Sequence, residues 1–257
     1  MSHMAQLPIR VDRPRPWQRA AHHAFRHPLA YLLAVEAFAI FAVAPLIEVG
    51  ILPYPLLAVT FSLILVFSMV ASEARTRSGR VLISLGAALL PVQAWRYLRP
   101  DPFILVLHPA SLIVFLVALS WPLAGAVFRG PRIKMDQVLG GVVLYLNIGL
   151  TFALAYTLVE HVSPGAFQLP EPVPERPLHP SYFFYFSLAT LTTVGSDDTL
   201  ALRIAARSLS TLEAAIGQLY PAIILARLVS LEVSQRDAKA LRKAAKPSAH
   251  DNGRPAA

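Results

Sequence analysis

The fold is decided by residues 181–198, which read Ser181-Tyr-Phe-Phe-Tyr-Phe-Ser-Leu-Ala-Thr-Leu-Thr-Thr-Val-Gly-Ser-Asp-Asp198. The first part predicts a short amphipathic helix with Ser181 as its N-cap. Long apolar runs flank it, but about 12 helical residues reach only half way across a hydrocarbon layer. Polar irregular backbone follows, and at membrane depth it must be buried in protein or line a water-filled cavity. The stretch therefore predicts a re-entrant segment that builds a pore or a substrate site.

The composition indicates an integral membrane protein. The 257 residues are 55% hydrophobic and 15% charged, and their mean hydropathy is +0.53. Soluble domains carry about 25% charged residues, so the charge here is too scarce to cover a water-facing surface. The chain contains no cysteine, which excludes disulfides, thiol catalysis and cysteine-ligated zinc.

Six apolar stretches have about the length that crosses a bilayer. They are residues 29–49, 55–72, 81–98, 103–128, 138–162 and 204–233. The third is the weakest, because it is short and is interrupted by Pro91 and Gln93. The sequence thus predicts six crossings, with the re-entrant segment between the fifth and the sixth.

The basic residues predict the orientation. Lys and Arg number 23 against 15 Asp and Glu, a net charge of +8. Most of the cations form four clusters: Arg10, Arg13, Arg15, Arg19 and Arg26; Arg75, Arg77 and Arg80; Arg129, Arg132 and Lys134; Arg236, Lys239, Arg242, Lys243 and Lys246. Six crossings place all four on one side, which the positive-inside rule makes cytoplasmic. Both termini are then cytoplasmic, membrane lipids are the expected partners of the basic tails, and nucleic acid is not expected.

Residues 184–195, Phe-Tyr-Phe-Ser-Leu-Ala-Thr-Leu-Thr-Thr-Val-Gly, resemble the pore helix and filter start of the potassium-channel superfamily. Residues 212–229 are similar to the inner helices of its prokaryotic six-transmembrane members. Gly217 lies 22 residues after Gly195, where the family commonly has its inner-helix glycine. The likeness covers about residues 141–234.

The resemblance implies an all-α membrane protein with six transmembrane helices, a re-entrant pore helix and a filter loop, in a tetrameric voltage-gated-like architecture. A single filter loop cannot enclose a pore, so a homotetramer is expected. The carbonyl groups of Thr193, Val194 and Gly195, with the Thr193 hydroxyl, would replace the hydration shell of K⁺ or Na⁺. Ser196 and Asp197 would complete the filter. No cofactor is expected beyond these permeant monovalent cations.

The filter departs from the family at Ser196-Asp197-Asp198, where the pattern continues Tyr-Gly-Asp. The second glycine adopts a backbone conformation that L-residues resist, and the tyrosine that braces the filter is missing. We therefore expect a wider, poorly selective filter. Four copies of Asp197 and Asp198 would form an outer ring of carboxylates that concentrates cations.

Two inner-helix residues are further candidates. Gly217 is either a gating hinge or a site where helices pack closely. Glu213 lies at membrane depth, where an ionisable group indicates a functional site. A supporting role, with hydrogen bonds behind the filter, is favoured over a position facing the pore.

The predicted function is passive conduction of monovalent cations. The alternative is a non-conducting membrane protein that uses the pore fold for assembly or partner binding. An enzyme is not expected, because the sequence has neither a Gly-x-Ser-x-Gly motif nor a metal-spaced His/Glu set. Strong voltage sensing is not expected either, because residues 103–128 contain no Arg or Lys.

The predicted organisation has four parts. Residues 1–28 form a basic cytoplasmic N-terminus, and residues 29–134 a peripheral four-helix domain that resembles a sensor without a charged fourth helix. Residues 135–233 form the pore domain of outer helix, pore loop and inner helix. Residues 234–257 form a basic cytoplasmic tail. The predicted location is a cell membrane, the inner membrane of a bacterium.

Overall fold

A computed structural model of the protein describes residues 28–53, 55–71, 76–98, 101–129, 135–169 and 181–244. Regular structure in these ranges is helical apart from one pair of short strands. The helices are α1 (Pro28–Phe38), α2 (Ala44–Glu48), α3 (Pro55–Ala71), α4 (Arg77–Leu98), α5 (Pro102–Arg129), α6 (Met135–Val162), α7 (Tyr182–Leu191) and α8 (Ile204–Ala244). The strands are β1 (Phe167–Gln168) and β2 (Leu200–Ala201).

Much of the predicted cationic pattern lies outside the described residues. This applies to the five N-terminal arginines, Arg75, Arg132, Lys134 and Lys246. The cytoplasmic side of the clusters and of both termini therefore stays a prediction.

Four helical spans in the described residues are long and apolar enough to cross a membrane. They are Leu29–Glu48, Pro102–Phe128, Gln137–Val162 and Ile204–Asp237. The apolar helix Pro55–Met69 is shorter, and α4 is not among the four although it has 22 residues. The chain is thus a multi-pass α-helical membrane protein, while the number of six crossings stays a prediction.

The first predicted helix contains a wide turn. Residues Ala39–Val43 form a π-helical segment between α1 and α2, in which the Ala44 N–H donates to the Ala39 carbonyl. Pro45 follows and has no N–H for the Phe41 carbonyl, so the regular α-helical ladder is interrupted at this point. A π-helical turn accommodates such an interruption without ending the helix.

One apolar core joins the predicted peripheral and pore segments. Leu32 of α1, Phe61 of α3, Phe115 of α5, Leu150 of α6 and Phe183 of α7 all belong to it. Helix α1 contacts α3 and α6, and the short α2 contacts α7. The first helix of the described residues therefore packs in the same core as the segment predicted to form the pore.

A fully buried carboxyl lies on α1. Glu36 has no exposed surface, and neither of its side-chain oxygens has a hydrogen-bond partner among the described residues. Burial of a polar group without a hydrogen bond costs about 1–3 kcal/mol in proteins. Glu36 is thus a point of weakness in the packing of α1.

The segment that contains α7 begins and ends at the same place, where β1 pairs with β2. Strand β1 follows α6 and pairs antiparallel with β2, which precedes α8, in the register Phe167 to Ala201 and Gln168 to Leu200. Helix α7 contacts both α6 and α8. Its ten residues span about 15 Å, half of a hydrocarbon layer.

Ser181 stands at the N-cap position of α7, as predicted. Ser181 precedes α7, but its backbone is already helical and its side chain makes no capping hydrogen bond. Its backbone carbonyl instead accepts the Phe184 N–H at 3.1 Å.

Candidate functional site

Helix α7, the predicted pore helix, ends in a Schellman motif. The Thr193 N–H donates to the Thr190 carbonyl at 3.0 Å, and the Val194 N–H donates to the Ala189 carbonyl at 2.9 Å. This pair of bonds closes a helix whose next residue is left-handed, and Thr193 indeed has φ +60°. The polar backbone at the helix end is therefore satisfied by the segment itself.

The predicted filter residues follow this cap. Thr193, Val194 and Gly195 are exposed, and Val194 is 79% exposed. Gly195 has φ +83°, a conformation that favours glycine, and a side chain added there would meet open space. The structure thus presents the predicted filter on the surface of a single chain.

The outer residues of the predicted filter differ in exposure. Asp197 and Asp198 are exposed, while Ser196 is half-buried and its Oγ has no hydrogen-bond partner among the described residues. The two carboxylates therefore stand free to face solvent or cations.

The conformation of Thr193 is strained. A β-branched residue rarely adopts a left-handed backbone, and glycine is the usual residue at this position of the motif. The Thr193 hydroxyl donates to the Thr192 carbonyl at 2.7 Å and accepts from Gln218 Nε2 at 2.8 Å. Side-chain hydrogen bonds thus hold Thr193 in place at the end of α7.

Glu213 lies behind α7 and is fully buried. The Tyr156 hydroxyl of α6 donates to its Oε2, and Ser187 Oγ of α7 lies 2.5 Å from its Oε1. Ser187 Oγ also lies 2.7 Å from the Gly149 carbonyl oxygen, and its single proton serves one acceptor at a time. The carboxyl group of Glu213 therefore joins α8 to both of the helices that flank it.

The Tyr156 ring sits in an aromatic cluster. Its centroid lies 5.4 Å from that of Phe167, 6.1 Å from that of Phe183 and 5.0 Å from that of Phe186. A buried tyrosine needs a partner for its hydroxyl, which Glu213 supplies. Phe183 and Phe186 of α7 thus pack around the tyrosine ring whose hydroxyl donates to Glu213.

Gly217 lies where α8 approaches α7 most closely. A Cβ at this position would lie 2.7 Å from the Leu191 carbonyl carbon and closer still to its oxygen. That oxygen also accepts a hydrogen bond from the Tyr145 hydroxyl at 3.2 Å. The structure shows the close-packing role of Gly217, and a hinge role stays a prediction.

Two residues of the site escaped the sequence reasoning. Gln218 donates a hydrogen bond to Thr193. The sequence feature that could have indicated this role is a polar side chain next to Gly217 in an apolar helix. Buried Glu160 accepts the N–H groups of Gly165 and Ala166, each at 2.9 Å. A glutamate four residues before the Pro164-Gly165 turn was the signal for that carboxylate.

Residues 144–233, about a third of the chain, match a family model described as Ion channel. The matched range begins in α6, contains α7 and the predicted filter, and ends in α8. No curated protein and no solved structure matches the chain. The family match supports a passive ion channel and suggests that the protein is not an enzyme.

Substitutions of Glu213 test its hydrogen bonds. The carboxamide of Glu213→Gln donates to Ser187 and accepts from Tyr156, so thermal unfolding in detergent should stay near that of the wild type. Glu213→Leu leaves the Tyr156 hydroxyl without its acceptor, at about 1–3 kcal/mol for a buried group, whereas Ser187 still donates to the Gly149 carbonyl. Its melting temperature should fall clearly below those of the wild type and of Glu213→Gln.

The substitution Glu36→Leu is the matched control for Glu213→Leu. Glu36→Leu removes a buried carboxyl that has no partner among the described residues, so its melting temperature should stay equal or rise. Equal losses from Glu36→Leu and Glu213→Leu would show that the hydrogen bonds of Glu213 are not what stabilises this region.

Alanine substitutions test the close approach of α8. Gly217→Ala forces the two backbones apart and should cost at least about 1–3 kcal/mol, as overpacking does. At Gly141, an added Cβ meets Tyr220 Oη at an ordinary 3.6 Å, so Gly141→Ala should be neutral or stabilising. Thermal unfolding of the two variants is the measurement, and a tolerated Gly217→Ala would contradict the close packing.

Proposed function

We propose that the protein is a passive channel for monovalent cations, assembled as a homotetramer around a shared ion path. The observation that carries the proposal is the exposed polar segment Thr193–Asp198 at the end of a half-length helix, between two long apolar helices. Such backbone is stable at membrane depth only in protein or beside water. Four copies facing one axis satisfy that condition.

The burial of the helices supports an assembly. In the span Ile204–Asp237, only 6% of an apolar 18-residue stretch is buried within the chain, against 56% of such a stretch in Gln137–Val162. Helix α8 exposes large apolar side chains, among them Leu212, Leu219 and Ile223. A helix that lines a common axis and contacts neighbouring copies has this pattern.

The ion ligands would come from the filter segment. Carbonyl groups of Thr193, Val194 and Gly195 would replace the hydration shell of K⁺ or Na⁺, with the Thr193 hydroxyl at the inner end. The C-terminal end of α7 adds partial negative charge beside them. Asp197 and Asp198 would form the carboxylate ring at the outer mouth, where they concentrate cations.

The remaining assignments rest on the sequence. The channel would cross a cell membrane, the bacterial inner membrane, six times with both termini cytoplasmic, where the basic tails meet anionic lipids. The family match favours this function over the alternative of a non-conducting pore fold. Voltage gating is not part of the proposal, because residues 103–128 carry no Arg or Lys.

Flux of cations into liposomes tests the proposal. Purified protein should carry K⁺ and Na⁺ down their gradients, and liposomes without protein provide the control. Absence of flux under varied voltage, pH and lipid composition would defeat the channel function. A strictly monomeric protein in the same lipids would defeat the shared path.

A filter substitution tests the selectivity argument. Ser196→Tyr combined with Asp197→Gly restores the tyrosine and the glycine of the family pattern. The K⁺ to Na⁺ permeability ratio should therefore rise at least tenfold, which corresponds to about 1.4 kcal/mol of discrimination between the two ions. Asp197→Asn removes the charge without the glycine, so it should lower cation flux at low salt and leave the ratio unchanged.

Asp237→Asn is the control for the loss of one exposed negative charge away from the mouth. A permeability ratio that the double substitution leaves unchanged would show that Ser196 and Asp197 do not limit selectivity.

A further inference from the structure

Gln218 reaches the inner end of the predicted filter. Its Nε2 donates to Thr193 Oγ1 at 2.8 Å, across 25 positions of the sequence. Both residues are exposed on the single chain, on the surface that the proposed tetramer turns toward its axis. The contact thus links the inner helix directly to a proposed ion ligand.

The contact fixes the Thr193 hydroxyl. Its proton goes to the Thr192 carbonyl at 2.7 Å, and one of its two lone pairs accepts the Gln218 amide. A single lone pair remains for a cation. Its direction is set by two hydrogen bonds, whereas an unrestrained hydroxyl rotates to suit each ion.

The packing of α8 places Gln218 at this position. Gly217, its neighbour, lets α8 approach the Leu191 backbone, and the Tyr145 hydroxyl donates to the carbonyl oxygen of Leu191. The carboxamide of Gln218 is therefore carried by a rigid contact between two helices. Such support is what a group needs in order to position an ion ligand.

The contact with Gln218 helps to hold Thr193 in its strained conformation. A β-branched residue in a left-handed conformation is strained and persists only where its surroundings hold it. The N–H bonds of the helix cap hold the backbone, and Gln218 holds the side chain. Without Gln218, the hydroxyl loses one of the two bonds that set its rotamer.

We propose that Gln218 is a specificity-determining residue of the ion path, because it orients the Thr193 hydroxyl toward the cation. This inference rests on the proposed channel function. Gln218 acts through Thr193, so its effect is a change in relative permeability among cations of different size. A residue that only stabilised the fold would alter the amount of active protein and leave those ratios unchanged.

The test compares relative permeabilities of Li⁺, Na⁺, K⁺, Rb⁺ and Cs⁺ in liposomes. Gln218→Met has a similar length but no donor, and it should change at least one permeability ratio threefold or more. Gln235→Met, the same change farther along α8, is the control and should leave the series unchanged. Thr193→Ser keeps the hydroxyl and should stay within twofold of the wild type.

A variant with both Thr193→Val and Gln218→Met completes a double-mutant cycle. Thr193→Val removes the hydroxyl, so adding Gln218→Met to it should change no ratio further. Independent, multiplying effects of the two substitutions would overturn the inference, as would a Gln218→Met variant with the wild-type series. If the wild type itself conducts no cation, the channel function fails first and the assignment of Gln218 fails with it.

Discussion

The structure depends on how the polar backbone after a half-length helix is satisfied. Helix α7 ends after about half of a hydrocarbon layer, where polar backbone must be buried in protein or border water. The segment after it returns to its starting point through the pairing of β1 with β2. The cap at Thr193 uses the N–H groups of Thr193 and Val194 to satisfy carbonyls of α7 itself. This requirement explains why the same few residues combine strain, hydrogen bonds and exposure.

Two buried carboxyl groups support the re-entrant segment at different points. Glu160 holds the turn that leads into β1, through backbone N–H groups. Glu213 holds the middle of α7 through Ser187 and joins it to Tyr156 of the outer helix. Buried acids of this kind are stable because each has hydrogen-bond donors around it, which Glu36 does not have among the described residues.

Periodic and apolar patterns predicted the helices, because length and hydropathy are local properties of the sequence. The observed α5 and α6 begin within three residues of the predicted spans. The π-helical turn before Pro45 and the strand pair escaped prediction, since both depend on competition among backbone hydrogen bonds. Helix α8 continues to Ala244, beyond the predicted end at 233, because its polar last turns still form helix outside the apolar span.

The site was predictable as a segment but not as a set of contacts. The likeness of residues 184–195 to a channel family predicts a filter in this segment, which stays a prediction. The depth of Glu213 in an apolar helix favoured its position behind α7, where the structure places it. The bond from Gln218 to Thr193 joins residues 25 positions apart and depends on how closely Gly217 brings two helices together. No local pattern encodes such a distance.

The proposed ion path requires that α8 borders water at membrane depth near Gln218, beside the predicted filter. Because the chain has no cysteine, one introduced thiol is the only one to react. Gln218→Cys should react with a charged, membrane-impermeant thiol reagent at least about tenfold faster than Val117→Cys, which lies 55% exposed on apolar α5. Equal, slow reaction at both positions would show that α8 does not border water at Gln218.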